Sequence, residues 1–331
     1  MKMPDIRGLK IANPKYLSVA AATALFFAAF IYGSASYRGF FSLQTFLNLF
    51  IDKSFLLVSA VGMSLVILSG GIDLSVGSVL AFTTMVIAAL TEFAHVNPAL
   101  AVLAALAAGS LMGLGMGLMI SCWNVPPFIA TLAGMFFARG ACYLISIQSI
   151  AMRDKTLQAL ALWKLRFGGA GFISFNVIIA ALIILAGIYI SLYTKFGRNI
   201  YAIGGNESSA LLMGIPIKQT KILIYTINGF CSAVSGVVFT LYMLSGYGLH
   251  AQGMELDVIA AVVIGGTLLA GGTGYVFGSV FGVLTLGIIQ ALIMFNGKIN
   301  SWWTKITVGV LLLLFIGLQR LIVALGDRKN T

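Results

Sequence analysis

LSGGIDLSVGS, residues 68–78, lies between two long apolar runs and sets a carboxylate, Asp73, just behind a Ser-Gly-Gly break. The chain has only 9 acidic residues among 331, so the surroundings of this one decide how it is read. The sequence is 60% hydrophobic and 9% charged, with a mean hydropathy of +1.04. A soluble domain carries roughly 25% charged residues, and so few charges could not cover the surface of a chain this long. The reading is an all-α, polytopic membrane protein, with Asp73 at a helix break between two of its spans.

A membrane helix needs about 20 mostly apolar residues to cross a hydrocarbon core about 30 Å thick. On that rule the sequence predicts about ten spans: 17–37, 54–70, 74–91, 99–121, 126–147, 172–194, 219–244, 254–270, 274–295 and 304–325. The first apolar run, LSVAAATALFFAAFIY, exceeds the roughly 7–15 residues of a signal h-region and is followed by many more spans. It is therefore read as a retained helix. An even number of spans puts both termini on one side, expected to be the cytoplasm by the positive-inside rule. The tails and the loop near 195–221 then hold 11 basic residues, against 8 in the opposite loops (Arg38, Lys53, Arg153, Lys155, Lys164, Arg166, Lys298 and Lys305). Residues 1–331 are expected to form one transmembrane domain, with an inward loop at about 195–218 and an outward loop at 148–171. The net charge of +11 is read as membrane orientation, not nucleic-acid binding, so lipid is the expected surrounding.

Glycine is patterned. Gly109, Gly113 and Gly117 share one helix face, as do Ser232, Gly236 and Thr240, and Gly278 pairs with Gly282. Small faces let membrane helices approach closely. GGIDLSVGSV at 70–79 and GGTGYVFGSV at 271–280 echo one another, each after an apolar run. Transporters often build a central site from repeated halves with interrupted helices. Cys122, Cys142 and Cys231 lie in apolar segments without CxxC spacing and read as small buried hydrophobes.

Asp73 precedes Leu-Ser-Val-Gly and suits an N-cap, accepting from the free N–H of Ser75 or Val76. A carboxylate on a helix at mid-membrane costs about 2.5–3.5 kcal/mol on insertion scales. Helix-end donors lower that cost. Non-helical backbone at membrane depth is tolerated where it is buried or lines a watery cavity, so capping and a role in the substrate path coexist. The other polar candidates for a path are Ser69, Ser75, Asn124, Thr131, Arg139, Thr267 and Thr273. Arg139 is expected to snorkel or to pair with a buried carboxylate. There is no GxxxxGK[ST], HExxH or GxSxG, so neither a nucleotide site nor a catalytic centre is expected.

LSGGIDLSVGSVLAF resembles the signature segment of the permease subunits of ribose-type monosaccharide ABC importers. FIATLAGMFFARG at 128–140, GRNIYAIGGNESSALLMGI at 197–215 and VVIGGTLLAGGTGYVFGS at 262–279 follow in the same order. Trp302-Trp303 and the closing LQR are most similar to the galactofuranose importer permease. The resemblance implies a monosaccharide importer subunit without its own ATPase site or cofactor. It implies a second permease, identical or homologous, two ATP-binding cassette subunits that use the ATP, and a periplasmic sugar-binding protein. It also implies that the inward loop docks on the ATPase through Arg198, Gly204, Gly205, Asn206, Glu207, Ala210, Leu211, Met213 and Gly214. The residues suit that role: Asn206 can cap a short helix, Glu207 favours its first turn, and Gly214 with Pro216 ends it. The alternative is a secondary sugar transporter coupled to protons through Asp73.

Overall fold

The computed structural model describes residues 14–167, 171–297 and 302–327. Lys2, Arg7, Lys10, Lys298, Arg328 and Lys329, on which part of the orientation expectation rests, lie outside the described residues. The elements run α1 (Pro14–Ser36), α2 (Leu43–Leu68), α3 (Val76–Ala88, continued by a π turn at Ala89–Phe93), α4 (Pro98–Cys122), α5 (Pro127–Ile145), β1 (Ile150–Ala151), α6 (Lys155–Leu162), β2 (Lys164–Phe167) and β3 (Gly171–Ser174). They continue with α7 (Phe175–Tyr193), α8 (Lys195–Gly205), α9 (Glu207–Leu212), α10 (Ile217–Met243), β4 (Ser245–Gly246), α11 (Met254–Ile264), α12 (Val276–Asn296) and α13 (Trp302–Asp327).

This is an all-α polytopic protein. Among the described residues, eight helices are long and apolar enough to cross a membrane, namely α1, α2, α3 with its π turn, α4, α5, α7, α10 and α12. α13 spans 26 residues, and its stretch to Gly317 is apolar. The expected span at 254–270 is corrected: α11 has 11 residues, about 16 Å at 1.5 Å each, and stops at Ile264 before Gly265 and Gly266. The second span is corrected as well. α2 begins at Leu43, not 54, because Ser42 caps it by accepting from Thr45 N–H at 3.0 Å. Asp52 and Lys53 therefore belong to a helix, not to a loop.

Two ends of the bundle can be told apart. At the hairpin end, β1 pairs with β4 and β2 with β3, both antiparallel. Gln44 Oε1 accepts from Phe172 N–H at 2.9 Å, and Glu92 Oε1 accepts from Arg153 N–H at 2.7 Å. The segment read as a plain polar loop at 148–171 thus carries α6, capped by Asp154, and short strands. At the opposite, knob end lie α8, α9, the end of α2 and the start of α10, with Lys221 paired to Glu207 at 2.7 Å.

α2 and α3 are the most buried spans, followed by α10, while α4, α5 and α7 bury few of their residues. The small faces work as packing surfaces. A Cβ on Gly113 would fall 3.1 Å from Gly229 Cα, which is what lets α4 lie against α10. Gly236 meets Thr83 of α3, and Gly278 and Gly282 meet α11. Cys142 and Cys231 are buried, but Cys122 is exposed, a departure from the expectation.

Between α10 and α11 the chain re-enters the bundle. Gly246 lies against Thr84 of α3, and Ala251 lies against Gly77, about two turns closer to the knob end. Leu244, Ala251 and Gly253 take positive φ values of 49°, 54° and 79° along this descent. α11 therefore starts inside the bundle as a half-helix.

Candidate functional site: two glycine breaks joined to the α8–α9 loop

Asp73 is fully buried in the turn between α2 and α3. Its Oδ1 accepts from Ser75 N–H at 2.7 Å and from Ser75 Oγ–H at 2.6 Å. Its Oδ2 accepts from Asn228 Nδ2 of α10 at 2.7 Å. The helix itself begins at Val76 with Ser75 in the cap position, so Asp73 closes the turn two residues before the cap position expected of it. A buried carboxylate that accepts three hydrogen bonds has its charge met locally. The same side chain ties the break to α10.

The second break, between α11 and α12, touches the first. Gly272 N–H donates to Leu68 O at 2.9 Å, and a Cβ on Gly271 would sit 2.7 Å from Gly70 N. Gly70 and Gly271 share a left-handed backbone, φ 82° and 87°, where a side chain is strained. The sequence echo thus marks two matching turns packed on one another. α8 packs on both. Gly204 abuts Leu68 O and Gly272 N, and Gly205 lies against Gly272. Tyr201 OH donates to Gly274 O at 2.9 Å. Three glycines, Gly204, Gly271 and Gly272, allow main chain to meet main chain here.

Beyond that junction α9 projects as a knob. Asn206 caps it, accepting from Ser209 N–H at 2.8 Å, and Gly214 at φ 75° ends it. Leu211, Leu212 and Met213 are exposed by 64%, 88% and 68%. Three large apolar side chains in a row on a capped loop form a surface that burial against a partner would stabilise. Ala210, expected among the docking residues, is fully buried and faces the protein instead. Arg198, Asn206 and Glu207 are exposed on the same segment.

Comparison with known proteins accords with this architecture. Residues 45–316 match the family model described as "Branched-chain amino acid transport system / permease component". The chain belongs to this permease family. It is 44% identical over 95% of both chains to the inner membrane ABC transporter permease protein YjfF of Escherichia coli K12. It is 38% identical to the fructose import permease protein FruG of Bifidobacterium longum, covering 98% of this chain and 96% of that one. It is 36% identical to the ribose import permease protein RbsC of Escherichia coli K12, covering 84% and 86%. No solved structure matches. The chain is a multi-pass inner-membrane permease component.

In this permease the polar residues expected on a path divide into groups. Asp73, Ser75 and Thr131 converge on the first break; Thr131 Oγ1 bonds Pro127 O at 2.8 Å and reaches Ile72 O at 3.4 Å. Ser69 sits at its edge and bonds its own helix at Val66 O, 2.7 Å. Thr267 and Thr273 lie at the second break, where both hydroxyls are buried and lack a hydrogen-bond partner. Asn124 does not join them: it is exposed in the α4–α5 turn with φ 54°. Arg139 is also elsewhere. Among the described residues it pairs with no carboxylate; it donates Nη1–H to Gly248 O and, at 2.8 Å, to His250 O. Its guanidinium meets the open carbonyls of the re-entrant segment. Asn228 and Tyr225, both buried at the first break, escaped the sequence reading. The signal was there, since an Asn inside an apolar run needs a partner.

Proposed function

We propose that this permease is the transmembrane subunit of a bacterial ABC-type importer that moves a monosaccharide into the cytoplasm by alternating access. The relatives named for fructose and ribose import support the substrate class. Trp302-Trp303 and the closing LQR favour galactofuranose as the sugar. Two ATP-binding cassette subunits bind and hydrolyse the ATP, and this chain binds no cofactor. A second permease, identical or homologous, completes the pathway, and a periplasmic sugar-binding protein delivers the substrate. The knob end then faces the cytoplasm. α1 running from that end and α13 running toward it fit the basic character of both tails.

One observation carries the reading: α8 rests on both glycine breaks while α9, directly after it, offers Leu211, Leu212 and Met213 to a partner. A displacement of the knob by the ATPases is passed through main-chain contacts to the two turns that end α2 and α11. With no side chains between these backbones, there is little compliance to absorb the movement. In this reading Asp73, Asn228, Ser75 and Thr131 hold the first turn together while it moves. The test is uptake of labelled galactofuranose, ribose and fructose into vesicles holding the permease pair with and without the ATPases. ATP-dependent uptake only with the ATPases is expected. Uptake driven by a proton gradient in permease-only vesicles would overturn the proposal.

A further inference from the structure

Four charged residues of the helices, Asp52, Lys53, Asp257 and Lys305, gather at one place. Lys53 of α2, Asp257 of α11 and Lys305 of α13 meet Gln290 of α12 around a cavity of about 510 Å³. A second cavity of about 430 Å³ takes in Asp52 and Tyr242, and Lys53 and Gln290 line both. All lie toward the hairpin end. Asp257 and Lys305 are in the first turns of their helices, and Lys53 is about 15 Å along α2 from Leu43.

Hydrogen-bonding capacity here is only partly filled. Lys53 Nζ donates to Gln290 Oε1, and among the described residues no carboxylate lies within ion-pair distance of it. Tyr242 OH reaches Asp52 Oδ1 at 3.4 Å, longer than an ordinary O–H···O bond. Asp257 pairs with Lys305 at 2.9 Å, yet the two side chains stay 28% and 54% exposed. A charge within a membrane span is costly and characteristically faces a pathway. A purely structural ion pair would close over itself, whereas this cluster borders two open cavities of the size that holds small ligands.

We propose that this double cavity is a monosaccharide site through which the sugar passes after delivery at the hairpin end. The inference rests on the importer reading above and assigns the residues that contact the substrate. The cluster has two acids and two bases, so it favours a neutral ligand. Sugar hydroxyls both donate and accept, matching the carboxylates of Asp52 and Asp257 and the donors of Lys53, Lys305 and Gln290. Tyr242, with Phe55 and Phe239 at ring distances of 6.3 and 6.4 Å, supplies an aromatic wall for the C–H face of the ring.

Met294 lines both cavities, so a thiol there reports occupancy. In full-length permease with its three native cysteines replaced, Met294→Cys would be alkylated by a water-soluble maleimide. Millimolar ribose, fructose or galactofuranose would be added, with valine as comparator. At least one sugar is expected to slow alkylation while valine does not. Gln290→Leu, which loses a neutral hydrogen bond, and Asp257→Asn, which keeps an acceptor but loses its charge, should each raise the protecting concentration roughly three- to tenfold. Monodisperse elution verifies that each variant is folded, and if one is not, the other with the unsubstituted background decides. Absence of protection by every sugar, equal protection by valine, or undiminished protection in both variants would overturn the proposal. Protection without ATP-driven uptake would leave the site standing and defeat the importer reading. ATP-driven uptake without protection would do the reverse.

Discussion

Replacing Asp73 by asparagine and by leucine separates a turn-closing role from a chemical one. The leucine variant removes the acceptor for Ser75 N–H, Ser75 Oγ–H and Asn228 Nδ2 together. Each orphaned buried polar group costs about 1–3 kcal/mol, a ceiling of about 3–9 kcal/mol for the three. Ser75 Oγ can turn to a main-chain carbonyl, which brings the expected loss to about 3–5 kcal/mol. That is a large share of the roughly 5–15 kcal/mol that holds a domain folded. Asparagine behaves differently. Its Oδ1 keeps both bonds from Ser75, and its amide can meet Asn228 once that side chain turns over, because Asn228 Oδ1 has no partner at present. The remaining loss is the charge assistance, about 1 kcal/mol. Monodisperse elution from detergent, thermal unfolding and vesicle uptake should therefore rank unsubstituted protein, then Asp73→Asn close behind, then Asp73→Leu largely unfolded. Asparagine as damaging to folding as leucine would refute the bonding argument. Normal folding of both with transport lost in both would put the carboxylate in the chemistry of transport.

Gly271→Ala should impair assembly or coupling more than Gly205→Ala, because its Cβ would press on Gly70 main chain at φ 87° while Gly205 has open space; uptake at matched expression measures it. Arg139→Met should loosen the re-entrant segment by about 2–5 kcal/mol, leaving Gly248 O and His250 O unpaired, with Arg139→Lys milder; protease sensitivity of residues 244–253 reads this out. Single cysteines at Ser149 and Ser209 should label from opposite sides of the membrane, and labelling from one side would reject the arrangement of spans.

Hydropathy alone located the helix cores, because a bilayer demands long apolar runs and the chain supplies them at nearly the places observed. It failed where tertiary contacts overrule the pattern. MELDVIAAVVIGGTLLA reads as a continuous span, yet α11 stops at Ile264, where Gly265 packs on Gly278 and Gly266 turns the chain at φ 96°, and Gly271 and Gly272 just beyond meet Leu68, Gly70 and Gly204 from distant parts of the chain. LQTFLNLFIDK reads as a loop on account of its charges, yet it is helix, because Asp52 and Lys53 face cavities and not lipid. Asp73 and the Asn206–Gly214 knob were legible, since caps and turn glycines act locally. The Asn228 partnership with Asp73 joins positions 155 residues apart and leaves no local trace beyond a lone amide in an apolar stretch. The echo between residues 70–79 and 271–280 was visible as a pattern, but the contact between its two copies was not.

In the proposed importer the ATPases drive this permease through the α9 knob. The direct measurement is co-purification of the ATPase with Leu211→Asp and Met213→Asp permeases, read beside ATP-driven sugar uptake, with exposed Ser208→Asp as control. A buried, unpaired carboxylate at the contact is strongly unfavourable, while the fold, with both side chains already in solvent, should be unaffected. Loss of ATPase association and of uptake in the two apolar-face variants, with Ser208→Asp near normal, is the expected result. Intact association and normal uptake in Leu211→Asp and Met213→Asp would contradict the account.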